Sequence, residues 1–143
     1  MKVWIDGDAC PDIKKLVSLC HKYRVPVAIV CDDSHEFQLD EVKMVSTGFQ
    51  SADMYLLNQI QDHDFVITSD YGVAIIALMK NCIVLNPNST FYTKENMDYL
   101  LLQRHVNAKL RKQKLKVPHQ KKRNEVDRNV FLEKVESILK TSR

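Results

Sequence analysis

Four short, uninterrupted apolar runs limit what this chain can fold into: Val3-Trp4-Ile5, Val27-Ala28-Ile29-Val30-Cys31, Phe65-Val66-Ile67 and Cys82-Ile83-Val84-Leu85. Runs this short and this apolar suit strands covered on both faces, as strands of parallel sheets are. Helical periodicity fills the gaps. After Pro11, which suits a first helical position, Ile13, Leu16, Val17, Cys20 and Tyr23 recur at the spacing of one helix face. Asp12 is expected in the first turn of that helix and Lys22 and Arg24 in its last, each favourable to the helix dipole. Ala52, Leu56 and Ile60 mark a second helix from Ser51 to about His63, and Val73, Ile76 and Ala77 a third from Tyr71 to Lys80. Val42 to Thr47 reads as a weaker strand closed by Gly48. Strands alternating with helices in this way require parallel βαβ units with right-handed crossovers and helices on both faces. The expected class is α/β, with a central parallel sheet of about five strands.

Beyond Thr93, a helix cap, Met97, Leu100, Leu101 and Leu102 open a segment that stays helix-compatible through Lys112, starting apolar and turning basic. Residues 115–122, with Pro118, read as a link, and Asn124 caps a last helix whose Val130, Phe131, Val135, Ile138 and Leu139 must cover something. With 143 residues, the chain has room for one core and not for two large ones. The expected division is an α/β domain over 1–103 and a basic helical extension over 104–143 packing on the same domain.

Charge follows that division. Residues 1–103 carry 8 Lys and Arg against 14 Asp and Glu, whereas 104–143 carry 13 against 4. Between Lys109 and Arg123 there are eight basic residues and no acid, a density that draws phosphate backbones by releasing their counterions. Arg104, Lys109, Arg111, Lys112, Lys114, Lys116, Lys121, Lys122 and Arg123 are therefore candidate nucleic-acid contacts, with Arg104 and Arg111 suited to gripping phosphate in two-pronged fashion. A solvated basic face is the plain alternative. Cys10, Cys20, Cys31 and Cys82 show no CxxC pair and read as reduced thiols rather than a zinc site. No apolar run approaches the roughly 20 residues that span a bilayer, and no leader is recognised, so the expected location is cytoplasmic, with no membrane partner.

The chemistry gathers at strand ends. Asp6 and Asp8 stand one residue apart where the first strand stops, Asp53 lies at the start of a helix, and Asp70 follows Phe65-Val66-Ile67-Thr68. Ligands of open parallel sheets collect at the carboxyl ends of the strands, which puts all four on one rim. Carboxylates brought together repel unless a cation or a shared proton intervenes. Mg²⁺ or Mn²⁺ binds through one or two of them plus water and phosphate oxygens, and such a centre suits phosphodiester hydrolysis. Asp6, Asp8, Asp53 and Asp70 are thus the candidate catalytic and metal-binding residues. Each also has an ordinary explanation as a helix cap or turn former. Asp32, Asp33 and Asp64 read as turn residues and His35, His63 and His105 as ordinary polar histidines, with Asp33 and His35 the ones of these expected to approach the site rim beside Cys10. A nucleophilic Cys10 would be opposed by the acids beside it.

Taken together, Asp6-Gly7-Asp8-Ala9-Cys10-Pro11, Gly48, Ala52-Asp53, Val66-Ile67-Thr68-Ser69-Asp70, Asn86-Pro87, Tyr92, Arg104, Leu110-Arg111 and Asp127-Arg128 with Phe131 resemble the YaiI/YqxD family of uncharacterised bacterial proteins. The resemblance spans nearly the whole chain. It implies a PIN-like three-layer sandwich whose nuclease members hold Mg²⁺ or Mn²⁺, with Asp6 as the first-strand acid, Asp53 as the helix acid and Asp70 as the acid after the fourth strand. Asp8 is that family's own addition. The further acid usual a few residues on is absent, since 71–76 read Tyr-Gly-Val-Ala-Ile-Ile. His63 and the Lys-rich link also depart from the family pattern.

The leading expectation is a metal-dependent nuclease acting on RNA, the choice of RNA resting on fold analogy. Two others stay open. One is a nucleic-acid-binding module that has lost the reaction, and the other a haloacid dehalogenase-like phosphatase with Asp6 as nucleophile and Asp8 as acid. The last of these lacks a paired acidic motif after Cys82-Ile83-Val84-Leu85.

Overall fold

A computed structural model describes residues 1–8, 10–32, 42–45, 51–115 and 122–142. In chain order the elements are β1 (Val3–Asp6), α1 (Ile13–Lys22), β2 (Val27–Asp32), β3 (Val42–Val45), α2 (Ala52–Gln59), β4 (Phe65–Ile67), α3 (Tyr71–Met79), β5 (Ile83–Leu85), β6 (Phe91–Tyr92), α4 (Lys94–Lys112) and α5 (Glu125–Thr141). The sheet has six strands in the order β3-β2-β1-β4-β5-β6. All neighbours are parallel except β5 and β6. The sixth strand, two residues long, follows a turn too short to be read from periodicity. Asp32 is the last residue of β2 rather than part of a turn.

The order reverses at β1. From there the chain first adds β2 and β3 on one side, then returns to add β4, β5 and β6 on the other. The two directions diverge between the carboxyl ends of β1 and β4, and in open sheets this switch point is where a crevice opens.

Successive residues of a strand point to opposite faces. Val3 and Ile5 of β1, with Phe65 and Ile67 of β4, pack with Ile13, Leu16 and Val17 of α1 and with Phe131, Val135 and Leu139 of α5. Trp4, Val66 and Val84 pack on the other face with α2, α3 and Met97 of α4. The result is three layers. Fully burying Phe131, Val135 and Leu139 contributes roughly 1.5–3 kcal/mol each, which makes α5 part of the core. Position 103 falls inside the unbroken α4.

Most caps follow local chemistry. The Ser51 side chain accepts from the Met54 N–H, and Thr93 with Asn96, like Asn124 with Asp127, closes a reciprocal capping box. The start of α1 does not. Pro11 and Asp12 both precede the helix, and Asp12 sits at the cap with φ 61° and no side-chain bond to a helix N–H. Asp tolerates that left-handed conformation better than most residues. Its carboxylate turns outward to ion pairs of 3.0 Å with both Arg123 and Arg128. Arg123 also donates to the Pro87 carbonyl and lies over the Phe131 ring. These contacts join the first helix to the last.

Candidate functional site

Parity decides where Asp6 points. Trp4 and Asp6 share the face of β1 opposite Val3 and Ile5, so the Asp6 carboxyl is directed to the side that α2 and α3 cover. Gly7 then passes β2 closely. A Cβ there would stand 2.9 Å from Ile29 Cγ2 and 3.1 Å from Cys31 Cβ, and the Gly7 N–H donates to the Val30 carbonyl at 2.8 Å. The absent side chain lets the turn that carries Asp8 hug the sheet.

From β4 come Thr68 and Asp70. The Thr68 hydroxyl, fully buried, donates to Asp6 Oδ2 at 2.9 Å and accepts from the Asp70 N–H at 3.0 Å, tying the ends of β1 and β4 together. Asp70 is the N-cap of α3, and its Oδ1 accepts from Gly72 N at 2.7 Å and Val73 N at 3.3 Å. Asp53 lies in the first turn of α2. Asp6, Asp8, Asp53 and Asp70 line one cavity of about 530 Å³, together with Ser69, Tyr71 and Arg104. The four acids, remote in sequence, are thereby assembled around the switch point.

Their proximity has an electrostatic consequence. Burial pushes the Asp6 carboxyl up to about 6; the Thr68 hydrogen bond opposes this, and Asp53, Asp8 and Asp70 add to it. Asp53 is raised as well, by burial and then by the charge of Asp70 and a hydrogen bond shared with it. Both shifts run in the direction expected of crowded carboxylates. The donor set is all hard oxygen, which suits a hydrated Mg²⁺ or Mn²⁺ held through one or two carboxylates. Among the described residues, no group of three His, Cys, Asp or Glu side chains is arranged to cage an ion. A cation held here would therefore keep most of its water rather than be wrapped by protein.

Arg104 is the cation among the described residues that line the pocket, its guanidinium 5.4 Å from the Tyr71 ring centre. Tyr71 in turn meets Tyr92 edge to face at 5.8 Å. Lys109, Arg111, Lys112, Lys114 and Lys122 are exposed and lie outside the cavity lining. Arg123, placed by its charge among the nucleic-acid contacts, is committed to Asp12, Pro87 and Phe131 instead. Asp33, His35, Lys116 and Lys121, like Ala9 and Gly48, lie outside the described residues. Cys10 is half-buried with its thiol on the Pro11 carbonyl, and burial, then Asp6, push it up to about 12, against a thiolate nucleophile. All four cysteines are unbridged thiols.

Sequence reasoning missed Thr68, Ser69 and Tyr71 as parts of the site. Adjacency to Asp70 was the available signal for them. Asp64 proved to be no mere turn former. It is buried at the opposite end of the sheet and accepts from Lys2 N, Gln61 N and Trp4 Nε1. A second cavity, about 590 Å³, lies between α1 and α5, lined by Lys14, Lys15, Lys22 and Glu136 among others. It is the larger of the two, but Glu136 there is already bound by the Tyr23 hydroxyl and paired with Lys22 and Lys140. The acidic cavity carries the unbalanced chemistry.

Among the described residues, no helix is long and apolar enough to cross a membrane. The chain is 39% identical over 148 residues to a UPF0178 protein of Clostridium perfringens, covering 97% of this chain and 99% of that one. It is 36% identical over 141 residues to a UPF0178 protein of Natranaerobius thermophilus, covering 97% and 96%. A UPF0178 protein of Clostridium novyi is 36% identical over 129 residues, covering 89% and 87%. No solved structure matches the chain. The family described as "Uncharacterized BCR, YaiI/YqxD family" matches residues 4–141, and the chain belongs to that family.

Proposed function

We propose that this α/β domain is PIN-like and works as a divalent-cation-dependent nuclease that hydrolyses phosphodiesters in RNA. The observation that carries the reading is the single cavity at the switch point lined by Asp6, Asp8, Asp53 and Asp70, with Arg104 facing them. One or two of the carboxylates of Asp6, Asp8, Asp53 and Asp70 would hold a hydrated Mg²⁺ or Mn²⁺, and the others would face its water shell. When bound, the ion supplies charge neutralisation for a phosphodiester in transit.

The chain's own groups supply the rest. Thr68 holds the Asp6 carboxyl in place, and the N-terminal N–H groups of α3 hold Asp70. Arg104 presents a planar donor fork suited to a nonbridging phosphate oxygen, and Tyr71 beside it supplies an aromatic surface suited to a base or sugar. Exposed Arg111 in the last turn of α4 and Lys114 just beyond it extend positive charge past the cavity for the strand's backbone.

The second reading, an RNA-binding module without turnover, is favoured by the absence of a three-residue cage among the described residues. One experiment separates the two: labelled single-stranded RNA is incubated with the full chain and Mn²⁺, with and without chelator, beside Asp6→Asn. The nuclease reading expects cleavage that chelator abolishes and that Asp6→Asn lowers at least about a hundredfold, the scale of losing one electrostatic catalytic group. Equal cleavage by both proteins overturns it. Tight, salt-sensitive binding with no cleavage by the parent establishes the second reading in its place.

A further inference from the structure

The nineteen residues of α4 present two unlike faces. Met97 is buried, Leu100 packs on the core, and Arg104, one turn further on, reaches Tyr71 of α3, so the row 97-100-104 faces the body. Tyr99, Leu102, Val106 and Leu110 follow one another at three- and four-residue spacing, which sets them on a separate stripe. Tyr99, Leu102 and Val106 point away from the core, and Leu110 is half-buried. Tyr99 is 65% exposed, Leu102 60% and Val106 44%, a concentration of large apolar side chains that a solvated helix face does not need.

Apart from Lys94 at its first position, charge along the same helix is sorted by end. Glu95 and Asp98 lie near its start, Lys109 and Lys112 near its finish, and all four are exposed. None of them forms an ion pair among the described residues. A stripe with acids at one end and bases at the other is complementary to itself when reversed. A two-fold axis produces that reversal, because an isologous contact brings one patch against its own copy. Antiparallel pairing would set Glu95 and Asp98 of each copy near Lys109 and Lys112 of the other, with the helix dipoles opposed as well.

We propose that α4 is the interface of a two-fold symmetric dimer of this chain, the two helices pairing antiparallel through Tyr99, Leu102, Val106 and Leu110. Lys109 and Lys112 are then engaged by the second copy, which leaves Arg104 on the acidic cavity of its own subunit. This inference is independent of the nuclease reading and needs no substrate to test.

Sedimentation of the full chain over a concentration series gives the test. The parent is expected to pass from monomer to dimer as concentration rises, and Leu102→Glu to weaken association at least about tenfold, equivalent to about 1.4 kcal/mol. Reversing the acidic end (Glu95→Lys with Asp98→Lys) or the basic end (Lys109→Glu with Lys112→Glu) is expected to weaken the dimer, and reversing both in one chain to restore it. Circular dichroism of each variant, unchanged from the parent, assures that these exposed substitutions leave the fold intact. A parent that stays monomeric throughout, a dimer indifferent to Leu102→Glu, or a doubly reversed chain no tighter than the singly reversed ones overturns the proposal.

Discussion

Asp64 and Asp6 are both buried carboxylates of the same sheet, one preceding β4 at its amino end and the other closing β1 at its carboxyl end. Around Asp64 three N–H groups converge, from Lys2, Gln61 and the Trp4 indole, at 2.9 to 3.0 Å. Asp6 receives one hydroxyl, that of Thr68, and shares its cavity with three more acids. The first carboxylate is satisfied by the fold. The second is placed at a cost to the fold, which protonation or, on the proposed reading, a bound cation would offset. Burial of an acid therefore does not mark a functional site; the balance of donors and charges around it does.

Truncation breaks this comparison most sharply. Asp64→Ala would leave two backbone N–H groups and the indole N–H without their acceptor, each costing about 1–3 kcal/mol when buried, so a loss of roughly 3–5 kcal/mol is expected. Urea or thermal melts at neutral pH measure it. A variant as stable as the parent would mean that Asp64 is not what joins the start of β1 to the start of β4.

Asp6→Asn is expected to act in the opposite direction. The Asp6 carboxyl is raised from an ordinary 3.8 to about 6 on folding. A carboxyl raised in this way favours the folded state below its unfolded value and loses that contribution as pH climbs through the folded one. At pH 8 without divalent cation, the amide should therefore stabilise the protein by roughly 2–3 kcal/mol, since each tenfold change in proton affinity between the folded and unfolded chain is worth about 1.4 kcal/mol. Near pH 4 the gain should be close to zero. Melts of parent and variant across that range check it, and a constant difference at every pH would show that titration of Asp6 is not the cause. Adding Mg²⁺ or Mn²⁺ at pH 8 should raise the parent's melting temperature and not the variant's, since only a cation that binds the folded site shifts the equilibrium.

How much of this was legible beforehand follows from the range of each interaction. Strand runs, helix faces and the caps at Ser51, Thr93 and Asn124 are local, and they stood in the sequence at the positions where they were found. Alternation along Val3-Trp4-Ile5-Asp6 even contained the direction of Asp6, since a strand that buries both faces still separates odd from even positions. The long-range partners were not legible. Asp12 looked like an ordinary first-turn acid because Arg123 stands 111 residues away, and Asp64 looked like a turn former because Trp4 stands 60 residues away. The partners of Arg123 were hidden for the same reason: within a basic run, nothing in the string of residues distinguishes the one that folds inward. Strand β6 was too short, at two residues, to leave any period.

Arg123 and Arg104 restate the comparison with the sign of charge reversed, and the two together give the smallest expected effects. The Arg123 side chain is 25% exposed and holds Asp12, the Pro87 carbonyl and the Phe131 ring, so Arg123→Met should lower stability by about 2 kcal/mol through loss of a partly buried, charge-assisted pair. It should leave the salt dependence of RNA binding as it was, because that guanidinium is already neutralised within the fold. Arg104 is exposed and touches the acidic cavity, so Arg104→Met should change stability by no more than about 0.5 kcal/mol. It should nevertheless reduce the slope of log affinity against log salt by about 0.7, the share of one phosphate contact on a single strand. Titrations of the same RNA at several salt concentrations, run beside melts of both variants, read the four outcomes together. If Arg123→Met flattened the salt slope as much as Arg104→Met, the arginine at the joint between α1 and α5 would be a contact surface after all. The contrast between groups satisfied by the fold and groups held open to solvent would then fail for cations, even if it held for Asp64 and Asp6.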